Sequence, residues 1–155
     1  MERFFASLNS PIGLVEVTST ATHIVSVYFV EQSHRETTKP QVLIEAIEQL
    51  QQYFNGQRTM FNVPYHLEGT VFQQRVWQAL TTVPYGETAS YKDIAIAINN
   101  EKAVRAVGMT NSKNPLSIIV PCHRIIGTNG KLTGYAGGVW RKEWLLHHEQ
   151  NGGTV

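Results

Sequence analysis

The sequence is poor in cysteine and in charge, and it has no long apolar run. Cys122 is the only cysteine among 155 residues, which excludes an internal disulfide and a cysteine-rich metal site. The longest apolar runs, such as residues 116–121, are far too short to cross a bilayer. No long apolar stretch follows Met1, as a secretory signal would require. We therefore expect a cytoplasmic protein with no membrane association.

The composition is typical of a folded chain. Hydrophobic residues make up 42% and charged residues 16%, which allows a real core in one or two small domains. The formal net charge of +1 hides an uneven distribution. Residues 1–68 carry four Lys/Arg against seven acids, whereas residues 69–155 carry nine against five. The basic second half is weak evidence for a polyanionic partner.

The first half predicts a small antiparallel sheet covered by one helix. Residues 3–8, 14–19 and 23–30 are rich in β-branched and aromatic side chains, with a Pro-Ile-Gly turn between the first two. After a polar loop, apolar residues recur at helical spacing before Gly56: Leu43, Ile47, Leu50 and Phe54. This pattern favours an α/β unit over residues 1–68.

The second half begins with three short predicted helices. Thr70 to Gln73 and Ser90 to Asp93 both match a capping box, which marks a helix start. A third helix is expected from about Glu101 to Ser112. Short helices with tight turns favour a helix-turn-helix unit.

The remaining elements surround the cysteine. Residues 116–120 predict a buried strand that carries Cys122 just beyond its end. Asn129-Gly130 predicts a hairpin turn between residues 125–126 and 131–132. The spacing of Trp140, Trp144 and His148 indicates a final helix.

Cys122 is followed directly by His123, and this pair has two interpretations. A core cysteine beside a satisfied histidine is the commoner outcome for such a pair. A nucleophile is the other, because an imidazole can take the thiol proton and a carboxylate such as Glu149 can orient the imidazole. The residues alone leave both open.

The wider sequence resembles the O6-alkylguanine-DNA alkyltransferase family, whose members are also called methylated-DNA–protein-cysteine methyltransferases. The matching segments cover residues 69–77, 84–91, 105–108, 121–124, 134–138 and 142–146. The first half matches more loosely, at residues 10–13 and 53–56. The resemblance implies a ribonuclease-H-like N-terminal domain over residues 1–68 and a winged-helix, helix-turn-helix-type C-terminal domain over residues 69–155.

The resemblance implies direct DNA repair. A monomer would bind duplex DNA in the minor groove, flip out an alkylated guanine and move the alkyl group from O6 to Cys122. O4 of thymine is a further possible donor. The thioether product does not hydrolyse, so each molecule would act once. No cofactor and no metal are implied, because the zinc-binding N-terminal cysteines of some relatives are missing here.

Family roles at the reaction centre transfer to five residues. Cys122 would accept the alkyl group, His123 would be the water-linked base, and Glu149 would orient His123. Tyr91 would donate a hydrogen bond to the guanine as the alkyl group leaves. The carbonyl of Ile125 would accept from the amino group of the base.

Five further residues would bind DNA or the flipped base. Arg105 would enter the base stack and fill the gap left by the flipped nucleotide. Asn114 would bond backbone groups at the hinge between the recognition helix and the active-site segment. Tyr135 and the backbone of Ala136 would line the guanine pocket, and Gly137 would allow the close approach of a flat ligand.

Three other function classes compete with this reading. A Cys–His hydrolase would share the nucleophile, but it would turn over repeatedly and would not need Arg105. A non-catalytic protein that binds alkyl lesions would not need Cys122. A transcription regulator would need a partner domain for which the chain has no room.

Overall fold

The computed structural model describes residues 2–152, and its N-terminal part is a three-stranded antiparallel meander. The strands are β1 (Phe4–Ser10), β2 (Gly13–Ser19) and β3 (Ile24–Phe29), in that order across the sheet. Gly13 opens β2 with a φ of +117°, a conformation that suits glycine because it has no Cβ. The expected strands and the turn between the first two are confirmed.

One helix covers the sheet, as predicted. Helix α1 (Gln41–Phe54) packs on β1 and β2, and its buried positions recur at helical spacing. They are Val42, Leu43, Ala46, Gln49, Leu50, Tyr53 and Phe54. The opposing strand β2 contributes Val15 and Val17, both fully buried, so the N-terminal core lies between helix and sheet.

The C-terminal part is mostly helical. Its helices are α2 (Val71–Leu80), α3 (Tyr91–Ala97), α4 (Val104–Ser112) and α5 (Val139–Gln150). Both predicted capping boxes are present, on Thr70 with Gln73 and on Ser90 with Asp93. A short 3-10 turn precedes α4, so the third expected helix is slightly divided. The predicted fold class is confirmed: a small sheet with a helix, then a mostly helical part.

The predicted strand over residues 116–120 is wrong. Only Leu116 pairs with the sheet, as a single parallel bridge to Val27 on β3. The chain then coils into a turn that includes Ile118 at a φ of +73° and a bond from Val120 N to Leu116 O. A buried apolar run does not distinguish a strand from a compact turn.

The predicted hairpin is also wrong, although the turn at Gly130 exists. Strand β5 (Ile125–Ile126) pairs in parallel with β4 (Ala89–Ser90) and not with residues 131–132. Backbone bonds from Gly127 N to Lys131 O and from Gly130 N to Gly127 O close the turn. Because β4 leads into α3 and β5 follows the cysteine, this pairing brings the start of α3 beside the Cys122 segment.

Candidate active site

Cys122 lies in a 3-10 turn, Cys122–Arg124, directly after the coiled apolar segment. The residue is only 2% exposed, and burial raises the pKa of its thiol to about 11, against the opposing effects of the Asn114 amide and the Lys142 charge. Its carbonyl accepts a bond from Asn111 Nδ2 at 3.2 Å. A thiol with a raised pKa needs a nearby base to act as a nucleophile at neutral pH.

Asn114 holds the turn that presents the thiol. Its side-chain Nδ2 donates to the carbonyls of Leu116 at 3.2 Å and Val120 at 2.7 Å, and its Oδ1 accepts from Leu116 N at 2.9 Å. One buried amide therefore bridges both ends of the coiled segment. These bonds lie between α4 and Cys122, and the hinge role implied by the resemblance stays a prediction.

His123 and Glu149 are directly bonded. His123 Nε2 lies 2.6 Å from Glu149 Oε2, and neither side chain is exposed. Burial lowers the pKa of His123, against the attraction of Glu149, so the ring is neutral near pH 7. The sequence predicted Cys122 as nucleophile, His123 as base and Glu149 as orienter. His123 follows Cys122 in the chain and bonds Glu149 across the fold, so the three residues lie close together.

The ionised state of Glu149 fixes which ring nitrogen carries the proton. Burial alone would raise the pKa of Glu149, but the hydrogen bond from His123 and the charge and hydrogen bonds of Arg124 hold it well below its usual range. A carboxylate only accepts hydrogen bonds, so His123 Nε2 must be the protonated nitrogen. His123 Nδ1 then carries a lone pair, and it is buried without a partner among residues 2–152. Nδ1 can therefore accept a proton, and it belongs to the residue next to the thiol.

Four groups donate to the Glu149 carboxylate. Besides His123, Arg124 bonds both oxygens, from Nε at 2.8 Å and from Nη2 at 3.1 Å. The Tyr53 hydroxyl donates to Oε2 at 2.6 Å, and the Gly86 amide donates to Oε1 at 3.2 Å. The carboxylate is fixed in place by donors from α1, the loop before α3 and the Cys122 turn.

Tyr91 and Lys142 share one acceptor on the glycine-rich loop, which we define as residues 133–138. The Tyr91 hydroxyl donates to the carbonyl of Thr133 at 2.9 Å, and Lys142 Nζ donates to the same oxygen at 2.7 Å. Lys142 is fully buried, and burial lowers the pKa of its ammonium to about 8, against the opposing effect of Cys122. The ammonium also lies 5.7 Å from the centre of the Tyr91 ring. The predicted donor therefore lies beside a buried cation.

The predicted pocket residues follow in the same loop. Tyr135 is buried, whereas Ala136 is exposed. A Cβ at Gly137 would lie 2.8 Å from the Tyr135 ring and 3.0 Å from Phe29, so only glycine fits there without a shift. Ile125 is fully buried in β5. These residues border the segments that hold Tyr91 and Cys122.

Arg105 lies apart from this cluster. It is exposed near the start of α4, while Val107 on the same helix is buried. The other end of α4 reaches the Cys122 turn through Asn111. A single helix therefore links the exposed arginine to the buried thiol.

Sequence reasoning missed three residues of the site: Tyr53, Arg124 and Lys142. Arg124 adjoins His123, and that adjacency was an available signal. Tyr53 and Lys142 gave no local signal, because their contacts join distant parts of the chain. Within residues 2–152, no group of three or more His, Cys, Asp or Glu side chains could hold a metal. In the same residues, no helix is long and apolar enough to span a membrane.

Two family models together match most of the chain. The model described as 6-O-methylguanine DNA methyltransferase, ribonuclease-like domain, matches residues 4–67. The model described as 6-O-methylguanine DNA methyltransferase, DNA binding domain, matches residues 71–151. The matches lie on either side of the transition from the sheet–helix part to the helical part.

Individual relatives are similar over almost their full length. The chain is 45% identical over 152 residues to the methylated-DNA–protein-cysteine methyltransferase of Mycobacterium tuberculosis, covering 95% of this chain and 92% of the relative. It is 42% identical over 160 residues to the constitutive enzyme of that name from Bacillus subtilis, covering 95% of both. The crystal structure of Mycobacterium tuberculosis OGT in complex with DNA matches with a TM-score of 0.89 at 46% identity, covering 97% of this chain and 95% of that one.

Proposed function

The chain belongs to the 6-O-methylguanine DNA methyltransferase family, and on that premise we propose how its residues carry out the reaction. The protein binds DNA and repairs it by transferring an alkyl group to a cysteine of its own, as a methylated-DNA–protein-cysteine methyltransferase. Cys122 is the single cysteine and is the acceptor. The buried bond between His123 and Glu149 is the observation that carries the mechanism.

The thiol proton leaves through His123. With Nε2 protonated and bonded to Glu149, the lone pair of Nδ1 takes the proton of Cys122 through a bridging water. Glu149 then stabilises the imidazolium. The thiolate sulfur attacks the alkyl carbon, so that a sulfur–carbon bond forms while the bond from that carbon to O6 of guanine breaks.

The leaving guanine needs a proton donor. Tyr91 supplies a hydrogen bond to the guanine ring as negative charge develops on it, and the Ile125 carbonyl accepts from the amino group of the base. The Tyr91 hydroxyl is bonded to the Thr133 carbonyl, and it exchanges that partner for the guanine ring in the reaction. His123 then releases the thiol proton to solvent and guanine takes up one proton in its place, so the products are a thioether on the protein and unmodified guanine.

The flipped base is held by the loop around Tyr135. Tyr135 and the backbone of Ala136 and Gly137 line the guanine pocket, and the glycine at 137 leaves space for the Tyr135 ring, which a Cβ there would approach to 2.8 Å. Arg105, exposed on α4, fills the gap in the duplex from the minor groove. Asn114 keeps the Cys122 turn aligned with α4 through its backbone bonds.

The organisation of the protein follows from this assignment. The chain divides into a domain over residues 1–68 and a DNA-binding, active-site domain over residues 69–155, which the positions of the two family matches support. The basic excess of the second half suits the non-specific binding of phosphates. The protein acts as a monomer on chromosomal DNA in the cytoplasm, without a cofactor.

Stoichiometry tests the proposed function. The protein is mixed with increasing amounts of a duplex that carries one O6-methylguanine, and repaired DNA is counted. The proposal predicts one repaired lesion per protein molecule and then no further repair. Repeated turnover would indicate a hydrolase or another catalyst, and lesion binding without repair would indicate a sensor. The Cys122→Ala variant is the control, with binding retained and no repair.

A further inference from the structure

Tyr53 connects the N-terminal part of the protein to the proton relay. It is fully buried on α1, and its hydroxyl donates to Glu149 across a separation of 96 residues. The acceptor is Oε2, the oxygen that also binds His123 Nε2, and both distances are 2.6 Å. Two short bonds from different domains therefore meet on one carboxylate oxygen.

The surroundings of Tyr53 hold its hydroxyl in one position. His148 Nε2 donates to the Tyr53 carbonyl at 2.7 Å, and the His148 ring packs 5.3 Å from the Tyr53 ring. Phe61 and Tyr85 pack on the ring as well. Burial and the nearby charge of Glu149 raise the pKa of Tyr53 well above 10. The hydroxyl is thus a fixed donor that keeps its proton.

The other titratable and charged groups near the pair lie on different elements. Arg124 bonds Glu149 from the Cys122 turn, and Lys142 on α5 acts electrostatically on His123. Burial and, to a smaller extent, the charge of Glu149 raise the pKa of Tyr85, in the loop before α3, and of Tyr135, in the glycine-rich loop. Among residues 2–152, Tyr53 is the N-terminal group that donates directly to the carboxylate.

We propose that Tyr53 is a positioning residue that limits how strongly Glu149 holds a proton on His123, which makes the N-terminal domain part of the alkyl-transfer machinery. The inference rests on the proposed function of Cys122 and His123. The physical basis is competition, because donors that share one oxygen divide its electron density. Without the hydroxyl, Glu149 would attract the His123 proton more strongly and the imidazole would be more basic.

The test is the pH dependence of single-turnover methyl transfer in the Tyr53→Phe variant. The ring remains, so the packing with His148 and Phe61 is kept. Transfer needs neutral His123, and its rate falls on the acid side as the imidazole is protonated. The variant is expected to shift the midpoint of this acid limb to higher pH by about half a unit or more.

Tyr85→Phe is the matched control, because it removes a neighbouring hydroxyl that is not bonded to Glu149, and its acid limb should coincide with that of the wild type. A wild type that transfers no methyl group refutes the proposed function. A wild type that works, beside a Tyr53→Phe variant with an unmoved acid limb, refutes this inference alone. A rate loss that is equal at every pH does the same, since it reports only structural damage.

A measurement on the wild type covers the case in which Tyr53→Phe does not fold. A buried, bonded hydroxyl exchanges slowly, so the Tyr53 hydroxyl proton can be followed by NMR through the titration of His123. We expect its resonance to move together with the His123 ring signals, since both bonds share Oε2. A Tyr53 resonance that stays constant while His123 titrates would overturn the coupling.

Discussion

His123 and Glu149 are joined by a 2.6 Å bond between Nε2 and Oε2 that is closed to solvent on both sides. The bond assigns the proton to Nε2 and leaves Nδ1 free on the residue next to Cys122. Because burial raises the pKa of the thiol, the cysteine depends on this base. A residue at the end of α5 thus controls a nucleophile that lies 27 positions before it in the sequence.

Glu149→Gln should impair both activity and stability. The amide keeps the shape of the side chain but removes its charge. His123 then lacks the carboxylate that stabilises its protonated form, and Arg124 is left buried without a counter-ion. We expect the single-turnover rate to fall about 100-fold and the free energy of unfolding at pH 7 to fall by about 3 kcal/mol. Quench-flow kinetics and urea denaturation measure the two effects.

The stability effect of Glu149→Gln should depend on pH. Because the folded pKa of Glu149 lies below its ordinary value of 4.5, its stabilisation is complete above pH 4.5 and is lost as the pH falls further. The difference in free energy of unfolding between wild type and variant should therefore decrease as the pH is lowered. Glu143→Gln, on the exposed side of the same helix, is the control. A gap that is constant from pH 7 to pH 3 would contradict the assignment.

Lys142→Met should stabilise the protein and slow the reaction. Lys142 is fully buried, and among residues 2–152 no carboxylate forms an ion pair with it, so at neutral pH its charge is destabilising. We expect Tm at pH 7 to rise by about 2 °C or more. Methyl transfer should slow about tenfold, because the cation favours the thiolate. Calorimetry and single-turnover kinetics test both.

The increase in Tm caused by Lys142→Met should become smaller at alkaline pH. The folded pKa of Lys142 is about 8 against an ordinary 10.5, so the unfolded wild type binds more protons between these values and its stability gains from rising pH. The Tm difference should therefore decrease from pH 8 to pH 10. Lys131→Met, at an exposed site, should show no such trend. A difference that grows with pH would be inconsistent with a buried, destabilising cation.

Arg105→Ala should affect DNA repair without affecting the fold. The side chain is exposed, so the free energy of unfolding should change by no more than about 0.5 kcal/mol. Transfer from duplex DNA should slow at least about tenfold, because the gap left by the flipped base is no longer filled. Transfer from free O6-methylguanine base should be unchanged. Arg3→Ala removes the same charge from the first strand region and serves as the control; equal losses on both substrates would exclude the role in base flipping.

Local signals in the sequence predicted most of the elements. Capping boxes at Thr70 and Ser90 and the apolar spacing of α1 depend on neighbouring residues, and these predictions are confirmed. The errors arose where distant contacts decide the backbone. Asn114 coils residues 116–120 into a turn by bonding two carbonyls, and β5 pairs with β4 instead of with the next segment. No periodic pattern in the sequence predicts either contact.

The candidate site could be predicted only in part, for the same reason. Cys122 and His123 adjoin in sequence, and Glu149 is a candidate orienting carboxylate at the end of the last predicted helix, a role that the family resemblance also implies. The fold brings in the other two residues: Tyr53 on α1 donates to the Glu149 carboxylate, and Lys142 on α5 donates to the Thr133 carbonyl. Long-range bonds of this kind leave no pattern in a single sequence.

The most direct test of the account is the mass of the Cys122 peptide after one round of repair. The protein is mixed with an equal amount of duplex carrying O6-methylguanine, digested, and analysed by tandem mass spectrometry. The account predicts one added methyl group on the sulfur of Cys122, with guanine restored in equal molar amount. Repaired DNA beside an unmodified Cys122 peptide, or a methyl group on any other residue, would contradict it.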